Sequence, residues 1–133
     1  QHVDGVSLMP LLKGGAISPR DLFWHYPHYG NQGGEPSAII ISGDKKLIYY
    51  FEDGRCELYD IKADIGEQNN INKSHPELAN ALKKKLDAWL QDTKALIPIK
   101  DKRFSIEKEK KQLGHAKNGQ LKRLEERAEK YFK

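Results

Sequence analysis

Chemistry-bearing side chains in this 133-residue sequence gather in one stretch, His25-Tyr26-Pro27-His28-Tyr29-Gly30-Asn31-Gln32-Gly33-Gly34. An imidazole can exchange a proton near neutral pH or ligate a metal. In an extended segment, however, a spacing of three puts His25 and His28 on opposite faces, which disfavours a metal held by both and lets one ring face a cleft while the other packs. Past them, the amides of Asn31 and Gln32 and the accessible glycine backbone suit hydrogen bonding to hydroxyl-rich or anionic ligands without adding charge. His2, His75 and His115 are scattered, and a lone Cys56 can form neither an internal disulfide nor a thiolate zinc cluster. No Gly-x-Ser-x-Gly, P-loop, His-Glu-x-x-His or EF-hand loop occurs, so no complete catalytic set is encoded here.

Elements able to carry that stretch can be read on both sides of it. Residues 1–15 read as a loop entering one short helix, with Leu8, Leu11 and Leu12 on one side and Gly14 or Gly15 as its stop. After Ser18-Pro19-Arg20, the run DLFWHYPHY is strand-like, and the glycines and proline of GNQGGEP form an irregular loop. SAIIISG and KLIYYFE are β-branched and aromatic runs separated by a Gly43-Asp44 turn, and Asp53-Gly54 reads as a tight hairpin into CELYDI. A polar connection, KADIGEQNNIN, precedes Ser74 and Glu77, which have capping-box spacing. Leu78, Leu82, Leu86, Trp89 and Leu90 then follow a 3.6 period, predicting a helix from about His75 to Lys94 with one apolar stripe. Leu121, Leu124, Ala128, Tyr131 and Phe132 mark a further helical pattern in a charged tract that begins near Lys102.

Length and composition allow one compact core, with 38% hydrophobic and 32% charged residues and a mean hydropathy of −0.78. No apolar run approaches the roughly 20 residues that cross a bilayer, so a membrane protein is not expected, and no signal segment lies in these residues. The sequence starts at Gln1, directly on what reads as a motif, as a fragment or a processed product would. Basicity belongs to the tail, where residues 101–133 hold eleven Lys/Arg against six Asp/Glu while the rest holds twelve against thirteen. The expected fold is α+β: a small antiparallel sheet of about four strands packed against one long helix, followed by a charged helical tail. Apolar residues fall on both faces of that sheet while only one long helix is available. The second face and the opening helix are therefore expected to pack on something outside this chain.

Five blocks in register carry a resemblance. They are Asp4 to Gly14 (DGVSLMPLLKG), Leu22 to Gly34 (LFWHYPHYGNQGG), Gly43 to Ile48 (GDKKLI), Glu57 to Asp60 (ELYD) and Asp64 to Ile71 (DIGEQNNI). In this order they resemble the C-terminal portion of the formylglycine-dependent sulfatases, especially bacterial enzymes acting on sulfated glycans, over about residues 3–99. The resemblance implies residues 1–18 as a linker and short helix from the end of a catalytic domain, 19–100 as the C-terminal subdomain, and 101–133 as a tail with no counterpart. It implies that calcium and a formylglycine, made within a Cys/Ser-x-Pro-x-Arg motif, lie in a catalytic domain outside these residues. That motif is absent here, so this chain alone is expected to be inactive, with no catalytic residue, metal ligand or cofactor of its own.

Matching by position, the resemblance points to His25, His28, Tyr29, Asn31 and Gln32 as substrate-binding residues, with His28 and Asn31 foremost as partners of a sugar ring or of sulfate oxygens. One departure stands out: Ala38-Ile39-Ile40 occupies the place where related sequences often read Ala-Ile-Arg. The implied partners are the sulfatase catalytic domain and a sulfated carbohydrate, and the implied location is periplasmic, cell-surface or secreted. An alternative from another class is a stand-alone interaction module whose basic tail binds nucleic acid or another acidic polymer. Alternation of the tail's Lys and Arg with Glu argues against nucleic acid.

Overall fold

The computed structural model describes residues 5–30, 34–115, 119 and 121–131. They divide into two compact units, residues 1–98 and 99–133. The first begins with a four-residue helix, α1 (Met9–Leu12), and continues through strands β1 (Leu22–Tyr26), β2 (Ser37–Ser42), β3 (Lys45–Tyr50) and β4 (Cys56–Asp60) to the long helix α2 (Pro76–Asp92). The strands form one antiparallel meander in the order β1-β2-β3-β4, the α+β arrangement expected. The second unit holds helices α3 (Ile106–His115) and α4 (Lys122–Tyr131). No helix among the described residues is long and apolar enough to cross a membrane.

Strand alternation builds the core. Register aligns Phe23, Ile40, Leu47 and Leu58 in one row across the sheet, and side chains along a strand alternate between faces. Helix α2 lies over this row, burying Ala79, Leu82, Leu86 and Leu90 against Ala38, Ile40, Leu47 and Leu58. Phe23 stacks on Trp89 with centroids 5.0 Å apart. Helix α1 shows the reverse situation: none of its residues is buried, and Leu12 is 79% exposed.

The turns follow the local chemistry, with two departures from expectation. Gly43 takes φ +58° at the first central position of the two-residue β2–β3 turn, where only glycine fits without strain. Asp53-Gly54 does not make a comparably tight hairpin, because a five-residue connection, 51–55, joins β3 to β4. Within it the Tyr50 N–H donates to the Arg55 carbonyl and the Gly54 N–H to the Tyr50 carbonyl, both at 3.0 Å, with Gly54 at φ +74°, so the chain turns over more than two residues. The capping box also fails to form. Pro76 occupies the first helical turn and His75 is the N-cap, one residue later than the box requires, so the Ser74 hydroxyl turns back to donate to the Ile71 carbonyl at 3.0 Å.

The outer edge of β4 is closed by the segment that precedes α2. The Asn70 side chain accepts the Leu58 N–H at 3.1 Å, the Ile71 N–H donates to the Leu58 carbonyl at 2.8 Å, and the Asn72 amide donates to the Cys56 carbonyl at 2.9 Å. Buried edge groups are thereby satisfied without a fifth strand. Leu86→Ala is expected to destabilise the chain by about 2–5 kcal/mol through the cavity it leaves, and Asn70→Ala by about 1–3 kcal/mol through the orphaned Leu58 amide. Leu12→Ala should stay within about 0.5 kcal/mol. Urea midpoints at constant slope measure all three.

Candidate functional site

Strand β1 sorts its own side chains. Register with β2 places His25 opposite Ala38, on the face beneath α2, and Trp24 opposite Ile39, on the other face. Trp24 and Tyr26 remain about half exposed, at 47% and 50%. His25 is part-buried and meets Phe51 edge-on with ring centroids 5.5 Å apart, and its Nε2 is buried without a hydrogen-bond partner among the described residues. Burial first, and the nearby His28 second, hold its pKa below the ordinary imidazole value. The ring that packs is therefore His25 and the ring that faces solvent is His28.

Pro27 has no N–H to continue a ladder, and the strand ends before it. His28 is exposed and meets the Tyr26 ring edge-on at 5.7 Å, and Tyr29 is 66% exposed. The chain is then pinched: Gly30 pairs with Gly34, its N–H donating to the Gly34 carbonyl at 2.9 Å. A methyl on Gly30 would stand 3.2 Å from the Gly34 nitrogen and 3.8 Å from the Tyr26 hydroxyl, so a side chain would press the two strands of the pinch apart. Asn31 and Gln32 lie outside the described residues. Of the five residues singled out by sequence, His28 and Tyr29 thus present exposed side chains on one segment, while His25 turns under the sheet.

Beside this segment, the face of the sheet away from α2 holds a hollow of about 450 Å³, lined among others by Tyr26, Glu35, Ile39, Tyr50 and Arg55. The Arg55 guanidinium lies 3.6 Å above the Tyr50 ring and donates to Glu35 at 2.7 Å and to Asp53 at 2.9 Å. The Tyr50 and Tyr59 hydroxyls both donate to Glu57 Oε2, at 3.1 and 3.0 Å. Burial, followed by the hydrogen bond to Glu57, raises both phenols, that of Tyr59 to about 12, so both remain donors at physiological pH. Sequence reading passed over this group. The signal was present in the period of two, which puts Tyr50, Glu57 and Tyr59 on one face of adjacent strands.

Cys56 lies on the opposite face, where burial pushes its thiol above the ordinary value and keeps it protonated. Among the described residues no group of three or more His, Cys, Asp or Glu could hold a metal ion.

Comparisons with known proteins agree in kind. The N-sulphoglucosamine sulphohydrolase C-terminal family matches residues 1–93. A sulfatase of Formosa agariphila is 32% identical over 103 residues, covering 68% of this chain and 19% of its own length. Among solved structures, a Bacteroides thetaiotaomicron protein assigned to the sulfatases is 25% identical with TM-score 0.60, covering 75% of this chain and 23% of that one. A 2-O GAG sulfatase shares the fold at 24% identity and TM-score 0.58, covering 69% of this chain and 21% of that one. The chain therefore spans about a fifth of the length of these relatives.

Depression of the His25 pKa has a definite sign in stability. Below the unfolded imidazole value of about 6.5 the unfolded chain takes up a proton that the folded chain resists, so stability falls as pH drops through that value toward the folded one. Thermal unfolding between about pH 7.5 and about pH 5.5 should show Tm declining toward acid, and His25→Phe, which removes the titrating group, should flatten that decline.

Proposed function

The chain belongs to the N-sulphoglucosamine sulphohydrolase C-terminal family, and from that premise we propose that it is the C-terminal portion of a sulfatase hydrolysing sulfate esters of sulfated carbohydrates. The observation that carries this reading is a family match over residues 1–93 in a chain spanning 19% of its Formosa agariphila relative. A piece of that proportion completes a larger hydrolase. Among its described residues no three His, Cys, Asp or Glu side chains gather as metal ligands. In the proposed enzyme, calcium and the formylglycine nucleophile belong to the catalytic domain that partners this one, and the chain alone releases no sulfate.

This chain's own contribution is a rim. Just past β1, the exposed His28 and Tyr29 offer an imidazole and a phenol to sugar hydroxyls or sulfate oxygens. The Asn31 and Gln32 amides, adjacent in sequence, add donors and acceptors of no net charge. Such groups suit a neutral, hydroxyl-rich ring better than a single point charge would, and this supports the carbohydrate part of the reading. The exposed Trp24 and Tyr26 lie on the sheet face left open by α2, and the catalytic domain is the proposed cover for that face. The proposed location is the periplasm, the cell surface or the medium, where polymeric sulfated glycans are met.

The test uses both the intact reading frame and this chain. The coding region upstream of Gln1 should carry Cys/Ser-x-Pro-x-Arg, and its product should release sulfate from a sulfated saccharide while residues 1–133 alone release none. In that product His28→Ala should lower kcat/KM about tenfold to a hundredfold, the range for losing a hydrogen bond to a charged group. Sulfate release by the isolated chain, or full activity in His28→Ala, would count decisively against the proposal.

A further inference from the structure

Arg55 is the residue a search for sulfate ligands would pick on the open face, being a guanidinium at the wall of the hollow and 38% exposed. Its surroundings give it another task. Nη2 donates to Glu35 Oε2 at 2.7 Å, Nη1 donates to Asp53 Oδ2 at 2.9 Å, and Nε stands 3.7 Å from Glu57 Oε1. Tyr50 backs the guanidinium plane at 3.6 Å. Three carboxylates around one cation leave the group net negative, which opposes an incoming sulfate.

What the pairing does is mechanical. Glu35 follows directly on Gly34, whose carbonyl receives the Gly30 N–H, and Gly30 follows directly on His28 and Tyr29. The next residue, Pro36, gives its carbonyl to the Phe51 N–H at 2.9 Å. The exit of the pinched segment is therefore tied to the β3–β4 connection twice, through main chain at Pro36 and through side chain at Glu35. Asp53 fixes Arg55 from the connection's own side, accepting both its backbone N–H and its guanidinium.

We propose that Arg55 is a positioning residue: by holding Glu35 it fixes the pinch between Gly30 and Gly34, so that His28 and Tyr29 meet substrate in one arrangement, and it does not itself bind the sulfate. The inference rests on reading that segment as the substrate rim.

Two measurements test it. In the full 133-residue chain, hydrogen exchange at the Gly30 amide reports the pinch directly. Arg55→Ala and Glu35→Gln should each speed it about threefold to fivefold, the scale of one exposed ion pair, with the Leu58 amide unchanged. Arg55→Lys, which keeps the charge but loses the planar fork, should fall between. Unchanged Gly30 exchange in both variants overturns the proposal. In the intact sulfatase, Arg55→Ala and Glu35→Gln should raise KM for a sulfated saccharide by the same several-fold factor, with kcat little altered and the double variant no worse than either. A sulfate-binding Arg55 would instead be released by Glu35→Gln, so KM would fall in that variant while rising in Arg55→Ala, and opposite signs overturn the proposal. Should Arg55→Ala not fold, the sign of the Glu35→Gln effect decides alone. Failure of the rim reading shows separately, as unaltered kcat/KM in His28→Ala, while Gly30 exchange still reports the tie.

Discussion

The row of Ile40, Leu47 and Leu58 lying beneath Leu82, Leu86 and Leu90 is the contact on which the rest of the first unit depends. Each such side chain contributes about 1.5–3 kcal/mol on burial, so losing any one of them removes a large fraction of a typical net stability of about 5–15 kcal/mol. It also fixes everything opposite. Once one face of each strand is committed to α2, alternation places Trp24, Tyr26, Tyr50 and Tyr59 on the other face, where two phenols converge on Glu57 and Arg55 can lie flat on Tyr50. A slip of one residue in β1 would exchange His25 with its neighbours and dismantle both sides at once.

Much of this was legible in the order of residues because its causes are local. Alternating β-branched and aromatic runs announce strands, the 3.6 period announces α2, and Gly43 announces a turn that needs positive φ. Ser74 and Glu77 misled because spacing alone does not say which residue caps. Pro76 favours the first helical turn and moves the N-cap to His75. Asp53-Gly54 misled in a similar way, since the turn closes between Tyr50 and Arg55 and takes in Phe51 and Glu52 as well. At the candidate site, His28 and Tyr29 could be read from the chain itself. Glu35 and Arg55 could not, because they are twenty positions apart and only the hairpin register brings them to 2.7 Å.

The same contrast separates the two histidines. Their residue types are identical, yet strand alternation sends His25 against Phe51, where charging it is costly, and the break at Pro27 leaves His28 exposed. One imidazole serves packing and the other is accessible to a ligand. Their spacing of three already separates the faces, and the sheet decides which ring is covered.

The two margins of the sheet are unlike. Asn70, Ile71 and Asn72 occupy the hydrogen-bonding groups along β4, whereas no fifth strand joins β1 among the described residues. An uncovered strand margin invites pairing with any extended peptide that approaches it. Lateral growth of this sheet is thereby one-sided: a chain recruited at Leu22–Tyr26 can add on, while the β4 side is already stopped. Among the described residues, hydrogen-bonded extension of the sheet is therefore open along β1 alone.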